Sequence, residues 1–312
     1  MKQSGNLQSE FEQLITAYAN SASANLDLRS SLELAQIINN EDARVAAAVE
    51  LVLPQIAEAI DVIAGALQCG GRLIYVGAGS SGRIAALDAA ECPPTFSTTP
   101  KTVQFVIAGG TKALRTAADA DEDSRKLGER EIGKKKPGEK DVVVGIAASG
   151  QTPFTVAAVE YARRKGATTV AVTCSPDSPL EKACDHAIVV DVGPEVISGS
   201  TRMKAGTAQK MVLNMISTGS MTRLGRVYGN LMVNAHLTNT KLLERGIAIL
   251  QQATGVNREN AQKTLRTAKS LPIALVMLKA KVGRGEAEKV LKSAKGHVRQ
   301  AIAAAKSGKL DL

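Results

Sequence analysis

Residues Leu73 to Phe96 read LIYVGAGSSGRIAALDAAECPPTF, and the fold turns on how that stretch divides. Leu73 to Val76 is short, apolar and rich in β-branched and aromatic side chains, the composition of a buried strand. Gly77-Ala78-Gly79-Ser80-Ser81-Gly82 supplies permissive residues for a sharp exit, with Ser80 or Ser81 where a helix N-cap belongs. Ile84 and Leu87 repeat at helical spacing, Asp88 and Glu91 lie one turn beyond each of them, and Pro93-Pro94 predicts the helix end soon after Glu91. The turn therefore offers backbone N–H groups, hydroxyls and a helix dipole to an anion, above all a phosphate. Glu91 stands about 15 Å further along that helix at 1.5 Å per residue, a length of the order of a sugar phosphate.

Gly77, Gly79 and Gly82 also fit the GxGxxG dinucleotide fingerprint. That pattern requires an acidic residue about 20 positions on, at the end of the next strand, to hold a ribose. The next strand candidate, Thr102 to Ala108, ends in Gly109-Gly110, so the nicotinamide reading is set aside.

Working outward, strand and helix patterns alternate. After Glu91 come the strand Thr102 to Ala108, a helix from Thr111 to about Arg130, the strand Asp141 to Ala147, the helix Phe154 to Lys165, the strand Thr168 to Thr173 and an edge strand Ala187 to Asp191. Such alternation argues for a layered α/β fold with a parallel sheet, whose ligands bind outside the carboxyl ends of the strands. A second hydroxyl-rich turn, Ser149-Gly150-Gln151-Thr152-Pro153, places Pro153 at a first helical position and Thr152 at its cap. A third runs from Ser198 through Ser200 to Thr207, ahead of an apolar helix to about Leu224. One such turn alone is ordinary capping; two at neighbouring strand ends point to anion binding. The segment Ala117 to Ser124 is densely acidic and, taken alone, reads as a solvated helix face.

Before the sheet, Phe11 to Tyr18 and Ser31 to Ile38 read as short helices and Ala43 to Leu67 as a longer one interrupted at Pro54. Beyond Gly255, Arg258 to Lys269, Pro272 to Lys281, Gly285 to Lys292 and Val298 to Ala305 read as a small bundle. The domain boundaries expected are 1–50 for an N-terminal helical segment, 51–250 for the main domain and 255–312 for the bundle.

The 312 residues, 44% hydrophobic, are enough for a substantial core. With 3% aromatics and no Trp, neither stacked bases nor an aromatic sugar platform dominates binding. All of the +9 formal charge falls from Gly255 onward, where 13 Lys+Arg face 4 Asp+Glu. Spread through amphipathic helices with no aromatic interleaving, those charges read as a solvated face rather than a nucleic-acid surface. Cys69, Cys92, Cys174 and Cys184 show no metal-type spacing and read as reduced thiols of a cytoplasmic protein; His186, His236 and His297 are too scattered for zinc. The polar start is no signal peptide, and no apolar run approaches the ~20 residues that span a bilayer.

GAGSSGR, LDAAECPPTF, IAGG, DEDS, VVVGIAASGQTPF, SGSTRMKAGTAQKMVLNM and YGNLMVN, in that order, resemble the N-acetylmuramic acid 6-phosphate etherases, a bacterial branch of the sugar isomerase (SIS) domain family. The resemblance runs from about Ala24 into the C-terminal bundle. It implies a flavodoxin-like parallel sheet (SIS domain) binding a sugar phosphate, a homodimer with active sites near the subunit interface, and neither a metal nor an organic cofactor. It implies cleavage of the D-lactyl ether of N-acetylmuramate 6-phosphate to N-acetylglucosamine 6-phosphate and D-lactate in cell-wall recycling. By the same resemblance Glu91 matches the family's general acid and Glu122, in DEDS, its second acid/base. Phosphate contacts are expected from Ser81, Ser149 and Thr152, with Ser80 and Ser200 behind them. Ser80 stands where many relatives have Thr, and Ala17 where Glu is common. Two other readings share the sugar phosphate: a regulatory sensor resembling glucokinase regulatory protein, and an aldose-ketose isomerase.

Overall fold

The computed structural model describes residues 18–116, 119–234 and 240–308. Strands β1 (Leu73–Gly77), β2 (Val103–Ile107), β3 (Val142–Ile146), β4 (Thr168–Thr173) and β5 (His186–Val189) form one sheet in the order β2-β1-β3-β4-β5, each neighbouring pair parallel. β1 and β3 are buried at every position, which accounts for their continuous apolar runs. This is the flavodoxin-like strand order, with its switch point between β1 and β3. Gly77 is in register with both Ile107 and Ile146, so the chain leaves β1, β2 and β3 at one end of the sheet.

The helices are α1 (Ser31–Glu50), α2 (Leu53–Gln68), α3 (Gly79–Phe96), α4 (Asp119–Glu122), α5 (Arg125–Gly133), α6 (Pro153–Arg164), α7 (Pro179–Ala183) and α8 (Lys204–Arg223). Five more follow: α9 (Thr240–Thr254), α10 (Arg258–Ala268), α11 (Leu271–Ala280), α12 (Arg284–Ser293) and α13 (Val298–Ser307). They divide between two compact units. The first runs to Ala90 and resumes from Pro100 to Ser217; the second comprises Glu91–Thr99 and the chain from Thr218 onward. In the first, Ile74, Val76, Val143, Phe154, Val159 and Leu180 are fully buried, each such side chain contributing about 2 kcal/mol relative to exposure. In the second, Ile247, Leu250, Leu275 and Val298 form a separate core. Its helices are too short to be stable alone and are held by that shared apolar face.

Several elements depart from the sequence expectation. α1 is unbroken to Glu50 because Ser30 and Glu33 close a capping box at its start and Glu41, in the polar stretch read as a gap, turns inward. Glu41 accepts from Lys204 Nζ at 2.5 Å and Asn20 Nδ2 at 2.7 Å. Pro54 starts α2 rather than interrupting a helix, since the first turn needs no donor there. The single helix expected from Thr111 to Arg130 is three pieces: a 3-10 turn (Gly110–Leu114), α4, and α5. α5 restarts because Ser124 Oγ accepts from Leu127 N at 3.2 Å and caps it. Finally, α3 continues through Pro93 and Pro94 to Phe96. Proline removes donors but its φ is helical, and Ser97 N still reaches Pro93 O at 3.0 Å. The helix ends at Ser97, whose φ of 52° is left-handed. Phe11 to Thr16, Ala17 and His236 lie outside the described residues.

Candidate active site

Only Ala78 separates β1 from α3, so the backbone turns abruptly and Ser80 and Ser81 fall inside the first helical turn rather than at its cap. Ser81 is buried and Ser80 half-buried. Their N–H groups belong to the four that a helix start leaves without an intrahelical acceptor, and the helix dipole makes that end attractive to anions.

Gly79 opens this turn with φ 50°, and a Cβ there would lie 2.9 Å from Glu122 Oε1. The Glu122 carboxylate therefore sits directly against the start of α3. A second tie comes from Arg83, one turn into α3. Its Nε donates to Ala113 O at 3.0 Å and its Nη2 to Thr116 O at 3.1 Å, fixing the segment that leads to α4. The structure thus places the Glu122 carboxylate beside the backbone turn that carries Ser80 and Ser81.

The turn after β3 leaves the same end of the sheet, on the other side of the switch point. Ser149 Oγ accepts from Gln151 N at 3.2 Å. Thr152 precedes Pro153 as expected but makes no side-chain cap bond, so its hydroxyl is not committed to capping α6. The β4 end is knitted to this turn. Ala148 O accepts from Cys174 N at 2.9 Å, Thr173 Oγ1 at 3.2 Å and Ser175 Oγ at 3.3 Å. A Cβ on Gly150 would collide with Ser178 Oγ at 2.2 Å, so the turn is held closely against that strand end.

The third turn is different. Glu195, fully buried, accepts from Lys204 N at 2.9 Å and Ala205 N at 3.0 Å. An internal carboxylate already caps α8, and the helix start ahead of which Ser200 lies is not open to a phosphate. Ser200 is half-buried, with its N bonded to Ile197 O at 2.9 Å. Sequence reasoning missed both Glu195 and the Lys204–Glu41 pair, because the partners of Lys204 lie 9 and 163 residues away.

Glu91 is exposed and lies on the part of α3 that belongs to the second unit, twelve residues beyond Gly79. One turn before it, in the first unit, Asp88 is buried and accepts from Tyr75 Oη at 2.8 Å and Ser217 Oγ at 2.9 Å. Burial pushes its carboxyl up, against the pull of those two hydroxyls. Asp88 is a second functional-looking carboxyl that the sequence offered only as a helix-spacing residue.

Among the described residues no group of three or more His, Cys, Asp and Glu is placed to hold a metal ion, and no helix is long and apolar enough to cross a membrane. Burial, with Glu195 and Asp191 nearby, pushes the Cys174 thiol up to about 12; burial and Asp185 do the same to Cys184.

Comparison with known proteins adds to this geometry. The SIS domain matches residues 136–218, and the glucokinase regulatory protein N-terminal SIS domain matches residues 55–163. Among solved structures, a phosphoheptose isomerase from Francisella tularensis superposes with a TM-score of 0.51 at 18% identity, covering 62% of this chain and 100% of that one, a likeness of fold alone. An N-acetylmuramic acid 6-phosphate etherase from Photorhabdus laumondii is 48% identical over 292 residues, 93% of this chain and 97% of that protein. The etherase from Klebsiella aerogenes is 46% identical over 294 residues, 94% of this chain and 98% of its own length. With identity at that level running through nearly the full length of both chains, this protein belongs to the N-acetylmuramic acid 6-phosphate etherase family.

Proposed function

We propose that this chain cleaves the D-lactyl ether of N-acetylmuramate 6-phosphate, releasing N-acetylglucosamine 6-phosphate and D-lactate, in the cytoplasmic recycling of cell-wall sugars. The observation that carries this reading is the Glu122 carboxylate seated against Gly79 at the head of the hydroxyl-lined turn. A base there stands beside the group that holds the phosphate.

In the ring-opened sugar, carbon 2 lies next to an aldehyde and its proton is acidic. Glu122 removes that proton, and the C–H electrons form a double bond to carbon 3. The carbon–oxygen bond at carbon 3 breaks, and Glu91, as the general acid, gives a proton to the departing lactate oxygen. Water then adds at carbon 3 and carbon 2 is reprotonated, restoring the saturated sugar. Each positioned acid or base supplies about 10²–10⁴-fold. Ser81, Ser149 and Thr152 hold the phosphate, with Ser80 beside them; Glu195 leaves Ser200 the weakest of the set.

As the resemblance to the family implies, we place Glu91 and Glu122 of one site on two copies of the chain, in a homodimer. The test is D-lactate release from N-acetylmuramate 6-phosphate. Glu91→Gln and Glu122→Gln each lose at least ~100-fold in kcat. Co-expressed, they form mixed dimers with one intact site, and about a quarter of wild-type activity returns. No lactate from the wild-type chain ends the etherase reading. Sugar-phosphate binding without release supports instead the sensor that the match to glucokinase regulatory protein suggests. Active single variants end the residue assignment, and no recovery in the mixed dimer ends the shared site.

A further inference from the structure

The last turns of α3 belong, by their packing, to the second unit: Glu91–Thr99 clusters with the C-terminal helices rather than with the sheet. How that segment is held is on view. Phe96 is buried. The next residue, Ser97, takes the left-handed conformation at φ 52°, which costs a non-glycine residue about 1–2 kcal/mol. Its hydroxyl donates to Asn234 O. Asn234, itself buried, donates through Nδ2 to Arg226 O at 2.8 Å. The turn at Gly225 and Arg226 ends α8, with Arg226 N on Met221 O at 3.0 Å, and it is pressed on the start of α13. A Cβ at Gly225 would lie 2.3 Å from His297 Cγ and 2.7 Å from His297 Cα. His297 is in turn the N-cap of α13, accepting from Gln300 N at 3.4 Å. The end of α3 is thus tied through two side chains to the end of α8 and the beginning of α13.

We propose that the C-terminal helical unit is a positioning element for Glu91: Ser97 and Asn234 fix the rotation and height of the last turns of α3, and with them the acid that those turns carry. This rests on the role given to Glu91 above. A left-handed serine at a helix end survives only where its surroundings over-determine it, and here the surroundings are the unit whose purpose the sequence leaves open. The hydroxyls assigned to the phosphate, Ser81, Ser149 and Thr152, all lie in the other unit. Loosening the tie therefore moves the acid and spares the grip.

The experiment measures kcat and KM for D-lactate release by Ser97→Ala, Ser97→Gly and Asn234→Ala, with thermal midpoints alongside. Ser97→Gly removes the hydroxyl but also relieves the backbone strain, so it keeps the test sound where Ser97→Ala folds poorly. Misplacement approaching 1 Å costs up to ~100-fold. The expected result is a kcat loss of about ten-fold or more in Ser97→Gly and Asn234→Ala, with KM within two-fold of wild type. Wild-type kcat in both variants overturns the proposal while leaving the etherase reading intact, and so does a KM that rises as steeply as kcat falls. Failure of the wild-type chain to release lactate is the separate outcome that removes the functional reading itself.

Discussion

Gly79→Ala isolates the contact on which the site depends. The substitution has two consequences with separate readouts. Alanine at φ 50° meets the left-handed penalty, about 1–2 kcal/mol, which appears in stability. The new Cβ would lie 2.9 Å from Glu122 Oε1, closer than such atoms approach one another, so the carboxylate retreats. That retreat costs folding less than a backbone clash would, because the displaced atom is the far end of a flexible side chain. It is not inexpensive for proton transfer, where a displacement near 1 Å costs about 100-fold. The expected outcome is a folded protein, destabilised by about 1–2 kcal/mol in a urea titration, with kcat for D-lactate release down by ~10- to 100-fold. The decisive comparison is a double-mutant cycle: in a Glu122→Gln background, Gly79→Ala has little left to remove, and the two losses fall well short of adding. Wild-type kcat in folded Gly79→Ala refutes the argument, and fully additive losses show that Gly79 acts through something other than Glu122.

Two further outcomes test the frame and the thiols. Arg72 pairs with Asp141 through Nη2 at 2.6 Å and Nε at 3.0 Å, tying the start of β1 to that of β3. Burial raises the Asp141 carboxyl, but the Arg72 bonds and nearby backbone donors outweigh it and hold it below its ordinary 3.8. A depressed carboxyl stabilises above the unfolded value and loses that contribution as pH falls through the folded one. Arg72→Ala is therefore expected to cost about 3 kcal/mol near neutrality and to flatten the loss of stability below pH 3.8, read by urea titration across pH; an unchanged acid slope contradicts the assignment. A thiol-reactive chromophore at pH 8 is expected to label Cys69 quickly in the native protein, leaving buried Cys92 and Cys174 and the raised Cys184 to react only on unfolding; fast labelling of two or more thiols contradicts it.

Much of this was legible in the chain. The apolar runs at β1, β3 and β4 announce a parallel sheet because strands buried on both faces have no polar side to alternate with. The turns at Ser80 and Ser149 announce themselves because the abrupt strand-to-helix reversal needs small residues. Pairwise geometry was not legible. Nothing near Glu41 reveals that Lys204 comes to it across 163 residues, so a polar stretch read as a break. Nothing near Ser200 reveals that Glu195 already occupies the helix start. Pro93-Pro94 misleads for another reason: proline's fixed φ is itself helical, and Ser97 N still bonds to Pro93 O beyond the pair, so the helix runs on to Phe96. Glu122 was distinguished from its acidic neighbours only by resemblance, since a run of carboxyls carries no local mark of the one that comes against Gly79.

α3 explains why these parts belong to one machine. It begins at the anion-holding turn, and its first residue receives Glu122. Arg83, one turn on, anchors the chain leading to that glutamate. Asp88, two turns in, locks the helix against rotation through Tyr75 in β1 and Ser217 in α8. A buried carboxyl is a costly choice for a lock, since leucine in its place would bury apolar surface at no desolvation cost. What the carboxyl supplies is direction: two hydroxyls on two different elements converge on its two oxygens, so the helix has one rotation in which both bonds form. A rotation error of one residue, 100°, would carry Glu91 from its face of α3 to another. The chemistry assigned to Glu91 tolerates far less than that. A helix that carries an anion-holding turn at one end and an acid at the other needs its phase fixed more than it needs extra stability, and Asp88 provides that phase.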